Sequence, residues 1–114
     1  RCFRILMLIL TFSERNPGIT RILTGDALTG ETTKLHGRVR QLFDRIEVQL
    51  KQILREAEIN HGVRTTFTVS VSANMLLALT EGRMAQFVRS NFEYPPTKNW
   101  EDQWSLAMVG FFRD

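Results

Sequence analysis

Residues 31–58 read ETTKLHGRVRQLFDRIEVQLKQILREAE, and the apolar residues in this stretch recur every three or four positions. This spacing places them on one face of an α-helix, whereas a half-buried strand would need an apolar residue at every second position. The stretch therefore predicts one long amphipathic helix whose opposite face is polar and rich in arginine. The face predicted to be buried consists of Leu35, Val39, Leu42, Phe43, Ile46, Leu50, Ile53, Leu54 and Ala57.

A second helix is predicted over residues 70–92, and it carries two stripes at helical spacing. One stripe contains Met75, Leu76, Leu79, Arg83 and Phe87, and the other contains Ala73, Leu77, Met84 and Val88. A helix with two such stripes has two partners, its own core and something else. Gly82 lies in mid-helix, where glycine costs about 1 kcal/mol relative to alanine, so it either allows a second helix to approach or is simply tolerated. Residues 94–96, Tyr-Pro-Pro, end this helix because proline cannot donate a backbone hydrogen bond.

The last part of the chain predicts a third amphipathic helix that begins near Asn99. Asn99 is a residue type that caps helix starts, and Asp102 favours the positive end of the helix dipole. The predicted apolar positions are Trp100, Trp104, Ala107, Met108, Phe111 and Phe112. A helix so rich in aromatic residues has to dock against other protein surface.

The first part of the chain predicts two further helices separated by a break. Residues 3–12, FRILMLILTF, are apolar enough for a buried helix. Asn16 then suits an N-cap and Pro17 suits the first turn of a new helix. That short helix is expected over residues 18–24, ending at Gly25. With residues 60–69 predicted as a loop, the fold class is an all-α helical bundle of about five helices.

Length and composition are those of one ordinary globular domain. The chain has 114 residues, of which 43% are hydrophobic and 24% are charged, and its net charge is +3. A single cysteine, Cys2, excludes an internal disulfide framework. The apolar run near the start is too short to span a bilayer, and no small-residue cleavage site follows it. We therefore expect a cytoplasmic protein that does not enter a membrane.

Residues with catalytic or metal-binding chemistry do not form a recognisable constellation. His36 and His61 are twenty-five positions apart and lack accompanying cysteines or carboxylates at metal-ligand spacing. Cys2 lies in an apolar run, which favours an inert buried thiol over a nucleophile. The sequence therefore predicts no catalytic residue, no metal ligand and no cofactor, and it favours a protein that is not an enzyme.

Several segments of the sequence resemble a known protein family. Residues 14–25 read ERNPGITRILTG, followed by GRV at 37–39 and QLFDRIE at 41–47, and further on by EGRM at 81–84 and FVRSNF at 87–92. Together these segments resemble the nucleoid occlusion factors of the TetR family. The resemblance implies that residues 1–114 are a TetR-type C-terminal regulatory and dimerisation domain, and that the N-terminal helix-turn-helix domain, which reads DNA, is absent from this chain.

The resemblance also implies partners and a location at the nucleoid. Such factors inhibit assembly of the division protein FtsZ over the chromosome, and DNA would be bound only through the missing N-terminal domain. The C-terminal tail of FtsZ would dock in a groove whose matching positions are Leu8, Arg15, Asn16 and Ile19. Without the resemblance, Leu8 and Ile19 would be interpreted as core residues and Arg15 as a solvated helix end.

The last two predicted helices are expected to form a homodimer. A domain of this size cannot cover every apolar face of both helices, and a two-fold axis would bury the surplus in a four-helix bundle. The predicted interface consists of Leu76, Leu79, Gly82, Arg83, Phe87, Trp104, Met108 and Phe111. Two alternatives remain: a ligand-sensing domain of a transcriptional repressor, with Met75, Met84 and Phe87 lining an apolar cavity, and a bare dimerisation module.

Overall fold

Five helices and one very short sheet make up the described part of the computed structural model. The structure describes residues 1–24 and 33–113, with the backbone alone for residues 33 and 34. The elements are α1 (Cys2–Arg15), α2 (Pro17–Leu23), α3 (Thr33–His61), β1 (Arg64–Thr65), α4 (Val69–Arg89), α5 (Trp100–Met108) and β2 (Phe112–Arg113). The predicted all-α fold is confirmed. The expected helix end at Gly25 and the first two residues of the predicted long helix lie outside the described residues.

The core forms where α1, α3 and α4 pack together. Leu6 and Leu10 of α1, Leu50 of α3 and Leu76 of α4 are completely buried, and Trp100 at the start of α5 covers them. Burying a side chain of this size contributes about 1.5–3 kcal/mol. The molecule is elongated, with principal extents of 47 × 30 × 18 Å.

The long helix α3 confirms its predicted period but is unevenly buried. Leu50, Ile53 and Leu54 in its second half belong to the core. Leu42, predicted to lie on the buried face, is exposed, so that prediction is wrong. Phe43 is next to it on the helix and packs against the core instead, because the core-facing side lies about 100° further round the helix.

The break between α1 and α2 lies at Asn16, as predicted, but its side chain does not cap α2. Asn16 Nδ2 donates a hydrogen bond of 2.8 Å to the carbonyl of Phe12 in the preceding turn. The corner is held instead by the buried Thr20, whose hydroxyl lies 2.8 Å from the carbonyl of Ser13 and 2.9 Å from that of Asn16. Pro17 takes its predicted place in the first turn of α2.

Helix α4 ends at Arg89, three residues before the predicted end. Asn91 and Phe92 have φ of 56° and 65°, in the left-handed region. The amide of Phe92 donates to the carbonyl of Phe87 at 2.8 Å, and that of Asn91 donates to Val88 at 3.0 Å. The rings of Phe87 and Phe92 pack edge to face at 5.2 Å. These are the two hydrogen bonds and the apolar contact of a Schellman motif, with asparagine in the position that glycine usually occupies.

Helix α5 is shorter than predicted. It ends at Met108, because Gly110 adopts a left-handed φ of 75° and turns the chain back. Phe111 and Phe112 therefore do not continue the helix, and Phe112 pairs with Thr65 in the antiparallel β1–β2 ladder. At the other end, Asn99 precedes α5 as predicted, but it has a φ of 62° and its side chain makes no capping hydrogen bond. Among the described helices, none is both long enough and apolar enough to cross a membrane.

Candidate functional site

The first candidate surface is a row of side chains along the outer side of α1. Arg4, Leu8, Phe12 and Arg15 follow one another at spacings of four, four and three, which keeps them on one helix face. All four are exposed, Leu8 by 70% and Phe12 by 48%. Neither arginine forms an ion pair with a described residue. We call this row, together with Ile19 of α2, the α1–α2 face.

Ile19 lies on α2, just after the corner between the two helices. Thr20 bridges the end of α1 to the start of α2, so Ile19, 45% exposed, is held on the outside of the corner that follows Arg15. Glu14 points elsewhere, because the hydroxyl of Thr97 donates to its Oε1 at 2.5 Å. The face thus presents three apolar side chains and two cations, with the nearest carboxylate in sequence engaged by a hydrogen bond.

The structure places Arg15, Asn16 and Ile19 at this corner and Leu8 two turns earlier on α1. Leu8, Arg15 and Ile19 are exposed and Asn16 is half-buried. The interpretation of Leu8 and Ile19 as core residues is wrong, since both side chains face solvent. Arg4 and Phe12 belong to the same row but were not predicted. Their signal in the sequence is the spacing of four residues on either side of Leu8.

The second candidate surface is a groove of about 510 Å³ between α4 and α5. It is predominantly apolar, and the glycine at its centre leaves it wide. Its lining residues are Met75, Ala78, Leu79, Gly82, Arg83, Gln86, Trp100, Gln103, Leu106 and Ala107. We call this surface the α4–α5 groove.

Three apolar side chains that line the α4–α5 groove face outward, whereas Trp100 at its floor is buried. Leu106 is 74% exposed, and Met75 and Leu79 are each about two-fifths exposed. A Cβ added to Gly82 would have no atom of the described residues within 4 Å, so no described residue occupies the space directly above it. Val71 on α4 is also exposed and lies one helical turn before Met75. Solvent-facing apolar rows on two neighbouring helices are typical of surfaces that another protein covers.

Only part of the predicted dimer interface faces this groove. Leu79, Gly82 and the edge of Arg83 line it. Leu76, Phe87 and Phe111 are buried in the core of the monomer, because they lie on the inward sides of their elements.

The other two predicted anchors pack within the chain. The Trp104 ring packs edge to face on Phe3 of α1 at 5.5 Å. Met108 is half-buried and packs against the core. Leu106 was missed, because the predicted apolar face of this helix followed its two tryptophans and Leu106 lies on the other side.

The residues named for a ligand cavity do not share one. Met84 and Phe87 are buried, whereas Met75 lies on the open α4–α5 groove. Met84 also borders a cavity of about 180 Å³ that is lined by Leu23, Thr24, Phe43, Glu81 and Ala85. Sites for small ligands usually measure about 300–1,000 Å³.

Arg83 is a buried cation that is held entirely by hydrogen-bond acceptors. Nε donates to the carbonyl of Pro96 at 3.2 Å, and Nη2 donates to the carbonyls of Pro95 at 3.3 Å and Lys98 at 2.5 Å. Nη1 donates to Gln86 Oε1 at 3.1 Å and to the hydroxyl of Tyr94 at 3.4 Å. The guanidinium also lies 4.8 Å from the centre of the Tyr94 ring.

Three of the side chains that the structure describes have a shifted pKa. Burial raises the pKa of the Cys2 thiol, which keeps it protonated and unreactive. The hydrogen bond from Arg83, together with its charge, lowers the pKa of Tyr94. Partial desolvation, with a smaller contribution from the Glu47 carboxylate, raises the pKa of Glu81. Among residues 1–24 and 33–113, no group of three or more histidines, cysteines or carboxylates is arranged to hold a metal ion.

Comparison with known proteins identifies the family. The family described as "Tetracyclin repressor-like, C-terminal domain", of the SlmA-like type, matches residues 1–110. This chain belongs to the SlmA-like family of tetracycline-repressor-like C-terminal domains. The predicted resemblance to the TetR family is therefore confirmed.

Individual relatives of the SlmA-like family are about half identical to this chain. A protein of Shewanella pealeana is 53% identical over 106 residues, which cover 93% of this chain and 54% of the relative. One of Shewanella denitrificans is 52% identical over 113 residues, covering 99% and 57%. One of Idiomarina loihiensis is 52% identical over 106 residues, covering 93% and 54%. Each is named "Nucleoid occlusion factor SlmA". The chain spans about half the length of these curated relatives.

Proposed function

We propose that this chain is the dimerising and partner-binding domain of a nucleoid occlusion factor, in which a separate N-terminal domain binds DNA. In this proposal residues 1–114 form the C-terminal domain, and the whole protein acts at the nucleoid in the cytoplasm. It binds the C-terminal tail of FtsZ and antagonises FtsZ assembly over the chromosome. The observation that carries the proposal is the α1–α2 face of a chain whose relatives are named nucleoid occlusion factors.

The chemistry of the α1–α2 face suits a short peptide that carries both apolar and acidic residues. Leu8, Phe12 and Ile19 offer an apolar strip. Arg4 precedes it and Arg15 lies between Phe12 and Ile19, and neither has an ion-pair partner among the described residues. An arginine that is not already paired can form charge-assisted hydrogen bonds with a carboxylate. Apolar anchors on a helix surface with cations beside them are a recurring way of binding peptides.

The α4–α5 groove supports the homodimer. Two copies related by a two-fold axis would place α4 and α5 of one against α4 and α5 of the other, as a four-helix bundle. Leu106 of each copy would then meet the space above Gly82 or the row of Met75 and Leu79. A dimer also suits a DNA-binding protein, because two-fold protein symmetry matches the two halves of a palindromic site.

Both surfaces act by binding, and the proposed role requires no chemical step. The described titratable groups with perturbed pKa values, Cys2, Glu81 and Tyr94, lie on different helices or segments and do not form an acid–base pair in a cleft. We therefore propose a regulatory protein without catalytic activity.

The experiment that tests the proposal is calorimetric titration with a synthetic peptide of the FtsZ C-terminal tail. The parent protein is used in the presence and absence of its DNA site. Leu8→Asp places a charge in the apolar strip, one helical turn from both Arg4 and Phe12, and we expect it to abolish measurable binding. Leu42→Asp is the matched control, since Leu42 is also an exposed leucine in mid-helix but lies on α3. Equal tail affinities for the two variants would overturn the assignment of this face, and no binding by the unmodified parent protein would overturn the proposed function.

A further inference from the structure

Arg83 differs from the other arginines of this chain because it is buried and has no carboxylate partner among the described residues. Only 6% of the residue is exposed. Its five N–H groups have five acceptors, three of which are backbone carbonyls in residues 95–98. Because every donor is used, the guanidinium has none left for a bound anion, and a ligand site at Arg83 is excluded on these grounds.

The acceptors of Arg83 belong to the segment that leads into α5. Residues 90–99 connect α4 to α5, and Trp100, the first residue of α5, follows directly and is buried in the core. The same segment reaches α1 through the hydrogen bond from Thr97 to Glu14. Arg83 therefore attaches the start of α5 to the middle of α4, on the edge of the groove that these two helices form.

The hydrogen bonds of Arg83 help to set the orientation of α5 relative to α4, and this orientation determines the shape of the α4–α5 groove. Helix α5 has only nine residues. Trp100 is buried in its first turn, and Trp104 and Met108 pack half-buried against α1 and the core, so the hold of Arg83 on residues 95–98 acts together with these contacts to fix the direction of the helix. Leu106 lies two turns further on and is free of the core. A small rotation about the start of α5 would carry Leu106 and Ala107 away from Met75 and Leu79 on the facing helix.

We propose that Arg83 is a positioning residue for the homodimer, holding α5 in the orientation that matches the second copy. This inference rests on the dimer put forward above. It differs from a contact role, because only the edge of Arg83 reaches the groove and its guanidinium is bonded to residues 86 and 94–98, so it acts chiefly through the segment that leads into α5. It also predicts that the strength of the dimer is set by a side chain outside the exposed apolar rows.

The test compares Arg83→Met, Arg83→Lys and the control Arg89→Met by sedimentation equilibrium of the whole chain. Methionine keeps the length of the side chain and removes all donors, and lysine keeps the charge but cannot reach all three carbonyls at once. We expect the dimer dissociation constant to rise at least roughly tenfold for Arg83→Met and by a smaller factor for Arg83→Lys. The exposed Arg89 on the same helix should leave it unchanged.

A purely structural role would lower thermal stability without a selective effect on the dimer, so the melting temperature of each variant is measured in parallel. A second readout is a double-mutant cycle with Leu106→Ala. If Arg83 acts by orienting α5, the two substitutions together weaken the dimer less than the product of their separate effects. If the fold-change in the dissociation constant of the double variant equals the product of the two single fold-changes to within a factor of about two, the proposal is overturned.

Arg83→Lys decides the matter if Arg83→Met does not fold. A raised dissociation constant supports the positioning role if the melting temperature, measured at concentrations where both proteins are monomeric, stays near that of the unmodified chain, and an unchanged dissociation constant overturns it. An unmodified chain that is monomeric at micromolar concentration would overturn the proposed dimer itself, which is a different result from a dimer that is insensitive to Arg83.

Discussion

Replacing Leu106 by aspartate is the most direct test of the α4–α5 groove as the dimer interface. Leu106 is 74% exposed in the monomer, so the substitution removes little packing from the chain itself. Burying a leucine side chain contributes about 1.5–3 kcal/mol, and a two-fold interface contains the residue twice. Scaled by the exposed fraction, the lost burial is about 2–4 kcal/mol per dimer. This corresponds to a dissociation constant raised by about 30- to 700-fold, before the cost of burying two carboxylates is added.

Sedimentation equilibrium over a range of concentrations measures this effect. The far-ultraviolet circular dichroism of Leu106→Asp should equal that of the unmodified chain, because the side chain makes few contacts in the monomer. Val48→Asp is the control, since Val48 is an exposed apolar residue on α3 and lies outside the groove. A dissociation constant that stays within twofold of the unmodified value for Leu106→Asp would refute the interface, because an apolar side chain buried there could not be exchanged for a charge at so little cost.

Three further outcomes are expected. Gly82→Ala should raise the free energy of unfolding of the monomer by up to about 1 kcal/mol, measured by urea unfolding of dilute protein. It should also weaken the dimer, because the added methyl group would keep the helix of the second copy away from Gly82. A tighter dimer would show that no second helix packs there. Arg15→Glu should weaken binding of the FtsZ tail by about 1.5–3 kcal/mol in calorimetry, whereas Arg40→Glu on α3 should not, and equal losses would point to general charge instead of a site. Because the pKa of Glu81 is raised in the folded state, the folded chain binds this proton more tightly than the unfolded chain, and stability falls as the pH rises from the ordinary carboxyl value through the folded one. Glu81→Gln should therefore stabilise the protein more at pH 7 than at pH 4. If the substitution changes the free energy of unfolding by the same amount at both pH values, Glu81 does not cause the pH dependence.

The helices could be predicted from the sequence where periodicity alone determines them. The stripe through Leu50 and Leu54 predicted the buried side of α3 correctly, because many residues contribute to that period. The two stripes of α4 were harder to assign. Met75 and Leu76 are adjacent in sequence and about 100° apart on the helix, and the pattern does not tell which of them faces the core. The structure places Leu76 inside and Met75 outside.

Contacts between residues far apart in the sequence could not be predicted from it. The helix predicted to continue through Phe111 ends earlier because the chain returns at Gly110 to pair with β1, nearly fifty residues away in sequence. In the same way, Arg83 reads as part of a helix stripe, and only the folded positions of the two prolines show that it lies beneath a loop.

The candidate site was predicted in part, through the family resemblance. The resemblance directed attention to Leu8 and Arg15, which the structure places on one exposed face. Helical spacing from Leu8 would also have predicted Phe12 and Arg4 on this face. The apolar composition of residues 3–12, however, favours a fully buried helix. That Phe12 is exposed becomes evident only from the way α1 packs in the structure.

The Schellman motif at the end of α4 makes the length of the following turn unusually strict. Surface turns between helices ordinarily accept an inserted residue at little cost. Here one added residue before Asn91 would advance the chain by about 1.5 Å and rotate it by about 100°, if it were absorbed as helix. Phe92 would then leave Phe87, and Tyr94 would be carried out of reach of the guanidinium beneath it. In this ten-residue connection, substitutions at its exposed positions should therefore be far better accepted than insertions or deletions.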